Sequence, residues 1–273
     1  MTEQILIAAA FFFAGSIVGS FLNVCIVRMP QEKSVVLPAS HCVSCQHPIP
    51  WYDNIPFFSY LCLGGKCRFC KSKISIRYFL VEWITAMTFV LFYFYFGLTL
   101  LLIPYLTMVS CFIVATFVDF EHRIIPDEIS VGGMGAGLVL SFLLPQMHGV
   151  SSHHHLWILN HLHSLGLSLL GVVAGGGLIY GMGMLGDFLF KKESMGGGDV
   201  KLLAMIGAFL GWQLAVLTFF IAPFFGAIFG VIEKIRTKDT AIAYGPFLAV
   251  GALVSLFWGD KILLWVMHGY GLY

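Results

Sequence analysis

Val118-Asp119-Phe120-Glu121-His122-Arg123-Ile124-Ile125-Pro126-Asp127 is a polar island between two uncharged apolar runs, Leu98 to Val118 and Ile129 to Pro145. A second junction of the same kind follows, where Gly196-Gly197-Gly198-Asp199 leads into the run that opens at Val200. Long apolar runs broken by short polar islands decide the fold. About twenty apolar residues in a helix cover the ~30 Å of a bilayer's hydrocarbon core. A carboxylate at the edge of that core costs at least a few kcal/mol to ionise on insertion scales, so each aspartate is a functional candidate.

Working outward, further runs lie at Ile5 to Val27, Tyr78 to Tyr95, Leu162 to Leu185, Val200 to Gly211, Leu214 to Ile232 and Ala243 to Trp258. The chain therefore reads as an all-α polytopic membrane protein with about eight transmembrane helices. Val200 to Gly211 is the weakest of them, because roughly twelve residues cannot cross the core alone. Hydrophobic residues make up 59% of the 273 and charged ones 11%, a balance that a soluble domain could not carry without large exposed apolar patches. The first run has no basic segment ahead of it, so it reads as an anchor rather than a cleaved signal. The net charge of +1 gives no indication of a nucleic-acid partner, whereas membrane lipid is a required one. Basic residues gather in alternate loops, at Arg28 to Arg77, Arg123, Lys191 to Lys201 and Lys234 to Lys238. The positive-inside rule makes those loops cytoplasmic and both termini external. Asp119 and Asp199 then open on one face.

The polar segment from Arg28 to Arg77 suggests a three-part organisation: a first helix over 1–27, a cysteine-rich subdomain over 28–77 and a helical domain over 78–273. Five prolines between Pro30 and Pro56 argue against a long helix in the middle part. Within it, Cys42-Val43-Ser44-Cys45 and Cys67-Arg68-Phe69-Cys70 have the spacing of a four-thiolate zinc site. Free or redox-active thiols are the alternative, disfavoured as disulfides by a reducing cytoplasm. A closed four-sulfur site is structural, since it keeps no position open for a substrate water. Cys62 falls outside both pairs, and Cys25 and Cys111 read as small buried hydrophobes. His153-His154-His155 reads as a solvated run, with external metal binding the alternative.

If Asp119 and Asp199 face each other, like charge and desolvation leave one proton shared between them. Such a pair activates water, one carboxylate as general base and its protonated partner polarising a carbonyl. Asp127, behind Pro126, reads as a helix cap. Glu121, His122 and Arg123 read as a solvated loop.

With these residues in place the chain resembles the type IV prepilin peptidases, intramembrane aspartic proteases of the GxGD type. The resemblance rests on Gly19-Ser20-Phe21-Leu22-Asn23-Val24 with Arg28 and Pro30, both cysteine pairs, Asp53-Asn54-Ile55-Pro56, Ser59-Tyr60, Arg77-Tyr78 and Val81-Glu82. It continues through Asp119 with Ile125-Pro126-Asp127, and Glu193 with Gly196-Gly197-Gly198-Asp199-Val200-Lys201. One departure is valine after Cys42, where the family often has proline; the sulfurs still ligate. The resemblance implies catalytic roles for Asp119 and Asp199 in the bacterial inner membrane. It also implies cleavage of type IV prepilins or type II secretion pseudopilins after the glycine of a basic leader, then N-methylation with S-adenosylmethionine. Glu82 and Asp53 are candidates for the methyl-donor site and equally for structural ion partners. Two rival readings are a proton-coupled transporter, which accounts for the aspartates but not the cysteine loop, and a scaffold whose cysteine loop docks a partner.

Overall fold

The computed structural model describes residues 2–150, 157–191, 195–237 and 243–269. His153, His154, His155 and Glu193 lie outside the described residues. Those residues divide into two compact units, Met1–Leu106 and Thr107–Tyr273.

The first unit is a pair of long apolar helices, α1 (Thr2–Arg28) and α3 (Ile76–Phe96), with the cysteine loop between them. The helices meet backbone to backbone. A Cβ added at Gly15 would stand 2.8 Å from the Ala86 Cα, and one at Gly19 would stand 2.7 Å from the Glu82 Cα. This small-residue spacing brings membrane helices into close contact where no hydrophobic force between them is available. Ser75 caps α3 by accepting the Arg77 N–H at 3.2 Å. The loop holds the five-residue helix α2 (Phe58–Cys62), short 3-10 turns and two isolated antiparallel β-bridges, His41 with Pro48 and Lys66 with Lys73, and no long helix, in keeping with its prolines.

In the second unit, α4 (Leu102–His122, whose first turn precedes the unit boundary) is followed by α5 (Asp127–Leu143), α6 (Trp157–Phe190), α7 (Gly197–Thr237) and α8 (Gly245–Gly269). The helix α7 packs on α5, α6 and α8. Its first half is the core: Leu202, Leu203, Met205, Ile206 and Phe209 are fully buried. The α6–α7 crossing is closer still, since a Cβ on Gly171 would reach 2.1 Å from the Gly207 carbonyl oxygen.

Among the described residues, six helices are long and apolar enough to cross a membrane, which does not reproduce the expected count of eight. Two causes account for the difference. The helix α5 has 17 residues, about 26 Å at 1.5 Å per residue, short of the core thickness. The runs expected at 200–211 and 214–232 are two helices, as the sequence divides them, joined end to end at Gly211, where φ is +78°, a conformation open to glycine; together they make one of the six. The short leg before the break is tolerable because protein, not lipid, surrounds it. His148, in the turn after α5, stands beside the break: a Cβ on Gly211 would lie 3.3 Å from its Nδ1. Burial pushes the His148 imidazole down to about 4, with the Ala208 carbonyl pulling the other way.

Candidate active site

Asp119 lies in the last turn of α4 and is 5% exposed. The helix stops just after it: Arg123 takes a positive φ of 56° while its N–H closes on the Asp119 carbonyl at 2.9 Å. The chain then passes through Ile124-Ile125-Pro126 into α5. Ile125 is the buried wedge of this turn. It contacts the positions of both Gly198 and Gly245, where an added Cβ would come within 3.1 Å and 3.2 Å of its side chain.

Asp199 sits in the first turn of α7, half-buried, its N–H on the Gly196 carbonyl at 3.1 Å. Gly196, Gly197 and Gly198 can serve in two ways, by taking conformations closed to other residues or by letting another segment approach closely. None of the three has a positive φ. Gly198 contributes space instead, because a side chain there would press on Ile125. The carboxylates of Asp119 and Asp199 converge closely enough for the charge of one to act on the other.

A third segment completes the site and was not singled out from the sequence. The Gly245 N–H at the start of α8 donates to Asp119 Oδ2 at 2.9 Å. A Cβ on Gly245 would stand 2.9 Å from that same oxygen, so the close approach needs glycine. Free N–H groups and the helix dipole make such an N-terminus favourable to a carboxylate. Tyr244 adjoins Asp199; burial and then that aspartate's charge push its phenol up to about 12. The available sequence signal was Gly245-Pro246 just ahead of an apolar run, a helix-start pattern that carries no chemistry by itself.

Asp127 does not cap α5. The cap position is Pro126, without a side-chain bond, and Asp127 instead takes Lys201 Nζ on both oxygens at 2.7 and 2.9 Å. A cation presented by α7 outcompetes the local backbone. Glu121, His122 and Arg123 are exposed, as a solvated loop would be.

In the first unit, the sulfurs of Cys42, Cys45, Cys67 and Cys70 all lie within 4.8 Å of one another. Cys42 and Cys70 are 3.8 Å apart, the edge of a tetrahedron with Zn–S bonds of about 2.3 Å. The cluster is built from one turn used twice. The Cys42 N–H reaches the His47 carbonyl as the Cys67 N–H reaches that of Ser72, both at 2.9 Å. Gln46 and Lys71 take matching positive φ values of 57° and 60°. Cys42 to Cys67 and Gln46 to Lys71 are both shifts of 25 positions, a local repeat the sequence reading had not noted. The Cys45 N–H, with Ser44, Ser72 and Cys67 in support, draws the Cys42 thiol down to about 6. The Ser72 hydroxyl lowers Cys70 too. The Cys45 thiol moves the other way, to about 11: the His47 N–H lowers it, and desolvation with the Cys70, Cys42 and Cys67 sulfurs raises it by more. Cys62 is exposed rather than packed and stands outside the cluster; Cys25 is buried and Cys111 half-buried.

Asp53 and Glu82 differ in their surroundings. Both Asp53 oxygens are taken by Arg68, at 2.6 and 2.7 Å, and the guanidinium holds the carboxyl below its usual range. Glu82 is 9% exposed. It accepts the Phe57 N–H at 3.0 Å and the Ser20 hydroxyl.

Comparison with known proteins is consistent along the chain. Residues 13–96 match the bacterial peptidase A24 N-terminal domain, and residues 106–231 match the type IV leader peptidase family. The chain is 37% identical to the prepilin leader peptidase/N-methyltransferase of Myxococcus xanthus over 232 residues, 85% of this chain and 64% of that protein. It is 34% identical to the protein of the same name from Pseudomonas aeruginosa, over 91% of this chain and 89% of that one. A Legionella pneumophila relative, also so named, is 32% identical with 91% and 90% covered. No solved structure matches.

Proposed function

Since the chain belongs to the type IV leader peptidase family, we propose that it is an integral membrane endopeptidase and N-methyltransferase. It removes the short basic leader of a type IV prepilin or type II secretion pseudopilin after glycine. It then methylates the new N-terminal residue with S-adenosylmethionine. The observation that carries the peptidase reading is the convergence of Asp119 and Asp199, from α4 and α7, in one site with the Gly245 N–H on Asp119 Oδ2.

The chemistry follows from that arrangement. One proton shared by two adjacent carboxyls leaves one ionised and one protonated. The ionised carboxylate takes a proton from water, while the protonated one donates a hydrogen bond to the scissile carbonyl. Gly245 occupies Oδ2 and leaves Oδ1 of Asp119 for this work. Basic residues in alternate loops support a cytoplasmic opening of the site in the bacterial inner membrane, on the side where a basic leader remains. The four cysteines hold zinc structurally and order the loop. Asp53, with both oxygens engaged by Arg68, serves the loop's structure. The transporter reading has no support among the relatives.

The test is mass spectrometry of a prepilin incubated with purified protein, with and without S-adenosylmethionine. Wild type gives the shortened and then the methylated chain. Either Asp119→Asn or Asp199→Asn leaves the leader in place over the time in which wild type completes cleavage, and cleavage at the wild-type rate in either variant rejects the dyad.

A further inference from the structure

The first unit carries a second buried acid that leader cleavage does not use. Glu82 lies in the apolar helix α3 beside the fully buried Val81 and Ala86. An ionisable side chain within a membrane helix is costly, so it marks a functional site by default. Its donors, the Phe57 N–H and the Ser20 hydroxyl, are both neutral. They fill two of about four acceptor positions that a carboxylate offers.

Three further observations surround it. Asn23, 1% exposed, gives its Nδ2 to the carbonyls of Gly19 and Tyr78 at 3.3 and 3.0 Å, while its Oδ1 has no partner. Gly19 is the residue packed on the Glu82 backbone, and Tyr78 precedes Glu82 by one helical turn, so the orphaned oxygen belongs to the same seam. Phe57 is strained: φ is 61° and ψ −54°, with the Phe58 N–H closing on the Pro56 carbonyl at 2.6 Å. This γ-turn is costly for an aromatic residue, and such strain gathers at functional sites. Its ring stacks on Phe12 at 5.4 Å and meets Phe79 edge-on at 5.6 Å; Tyr60 lies 5.6 Å from Phe79.

A buried carboxylate with spare acceptor capacity, an unpartnered amide oxygen and aromatic rings together are the composition of a site for an organic cation. Three cationic groups take part in methyl transfer: the ammonium of the cut chain, and the sulfonium and α-ammonium of the donor. The unmet acceptors call for N–H donors, which a sulfonium lacks, and of the two ammoniums only that of the cut chain must lose a proton before its nitrogen can attack, so a carboxylate base belongs beside it. We infer that Glu82, with Asn23 Oδ1 and the Phe12, Phe57 and Phe79 rings, binds the α-ammonium freed by leader cleavage and accepts its proton for methyl transfer. This rests on the proposed methyltransferase activity. The ammonium passes one proton to the Glu82 carboxylate. The amine lone pair then forms the N–C bond to the donor's methyl group as the C–S bond breaks, its electron pair staying on sulfur. A neutral thioether leaves, the product is a methylammonium, and Glu82 returns its proton to water.

Glu82→Gln tests this in the full-length protein, since glutamine still accepts from Phe57 and Ser20 but carries no charge. Three quantities are measured: prepilin cleavage, methylation, and binding of a peptide with the mature pilin N-terminus, free or N-acetylated. Cleavage within two-fold of wild type, at least 100-fold slower methylation and at least ten-fold weaker binding of the free-amine peptide are expected. The acetylated peptide should bind both proteins alike, and S-adenosylmethionine affinity should be unchanged. Methylation within two-fold of wild type overturns the inference while leaving the peptidase reading intact. Loss of donor affinity with peptide binding preserved overturns it in favour of a cationic group of the donor. Loss of both cleavage and bound zinc makes Glu82 a structural residue and overturns it too. Ser20→Ala, which removes one donor and keeps the charge, should methylate within ten-fold of wild type, and a loss as deep as that of Glu82→Gln argues equally for a structural role.

Discussion

The sulfur cluster and the aspartate site are built in opposite ways. The four cysteines are gathered by two copies of one short turn, each closed by its own backbone hydrogen bonds and a residue at positive φ. The aspartate site draws Asp119, Asp199 and Gly245 from the end of one helix and the starts of two others. A site made of local turns depends on the few residues within each turn. A site made of helix ends depends on how every helix of the unit packs, so glycines far from the chemistry matter there.

The largest effect expected is on the remote site. Asp119→Asn or Asp199→Asn should slow prepilin cleavage by ~10² to 10⁴-fold, the usual contribution of general acid–base catalysis, and leave bound zinc unchanged by metal analysis. Zinc lost from either aspartate variant would break the separation between the two regions. Next is the local site. Cys42→Ser with Cys67→Ser should abolish zinc binding and expose the loop to protease, because such small metal domains fold on their ion; unchanged zinc content would sink the assignment. Gly245→Ala places a methyl group 2.9 Å from Asp119 Oδ2. Its kcat should fall about ten-fold, ~1.4 kcal/mol of activation free energy, with zinc content unaffected. A rate equal to wild type would remove Gly245 from the site.

Two smaller effects probe the packing that holds the remote site. The His148 imidazole is held near 4 when folded, below its ordinary 6.5. The folded state therefore binds fewer protons, and this contribution, complete above 6.5, is lost as pH falls from 6.5 toward 4. The melting temperature in detergent should drop between pH 7.5 and pH 5 by less in His148→Gln than in wild type; equal drops would show that other groups govern the acid limb. Lys201→Met removes an exposed ion pair with Asp127, 43% and 64% exposed. It should change stability by no more than ~1 kcal/mol, and a shift well beyond that in thermal unfolding would mean the pair does more than tie α5 to α7.

How much could be read from the chain follows the same division. The cysteine site was legible because ligand spacing is a property of a few neighbouring residues, although the 25-position repeat of the turn emerged only from matching hydrogen bonds. Asp119 and Asp199 were legible as costly carboxylates beside apolar runs. Gly245 was not, since its contribution is a backbone N–H that no side-chain pattern advertises. Asp127 was misjudged as a cap because Lys201, 74 positions away, could not be placed beside it. The break at Gly211 was legible as the gap between the runs at 200–211 and 214–232, whereas the count of eight spans was not reproduced. Hydropathy measures length of apolar sequence, while a broken helix sheltered by its neighbours obeys packing rather than bilayer thickness.

Composition and spacing alone determined that this chain lives in a membrane, that four of its cysteines have the spacing of a metal ligand set, and which two aspartates carry an expensive charge. Those are sums over neighbouring residues, and transfer free energy and ligand bite are both local quantities. Only the tertiary structure decided that Asp119 and Asp199 converge, that the start of α8 holds one of them, and that Glu82 faces a strained turn with acceptors to spare. The place of Glu82 depends on the α1–α3 crossing at Gly15 and Gly19, and that of α7, which carries Asp199, on the α6–α7 crossing at Gly171 and Gly207. There the backbones approach to within what a single methyl group would prevent, and no window of sequence shows which glycine meets which helix.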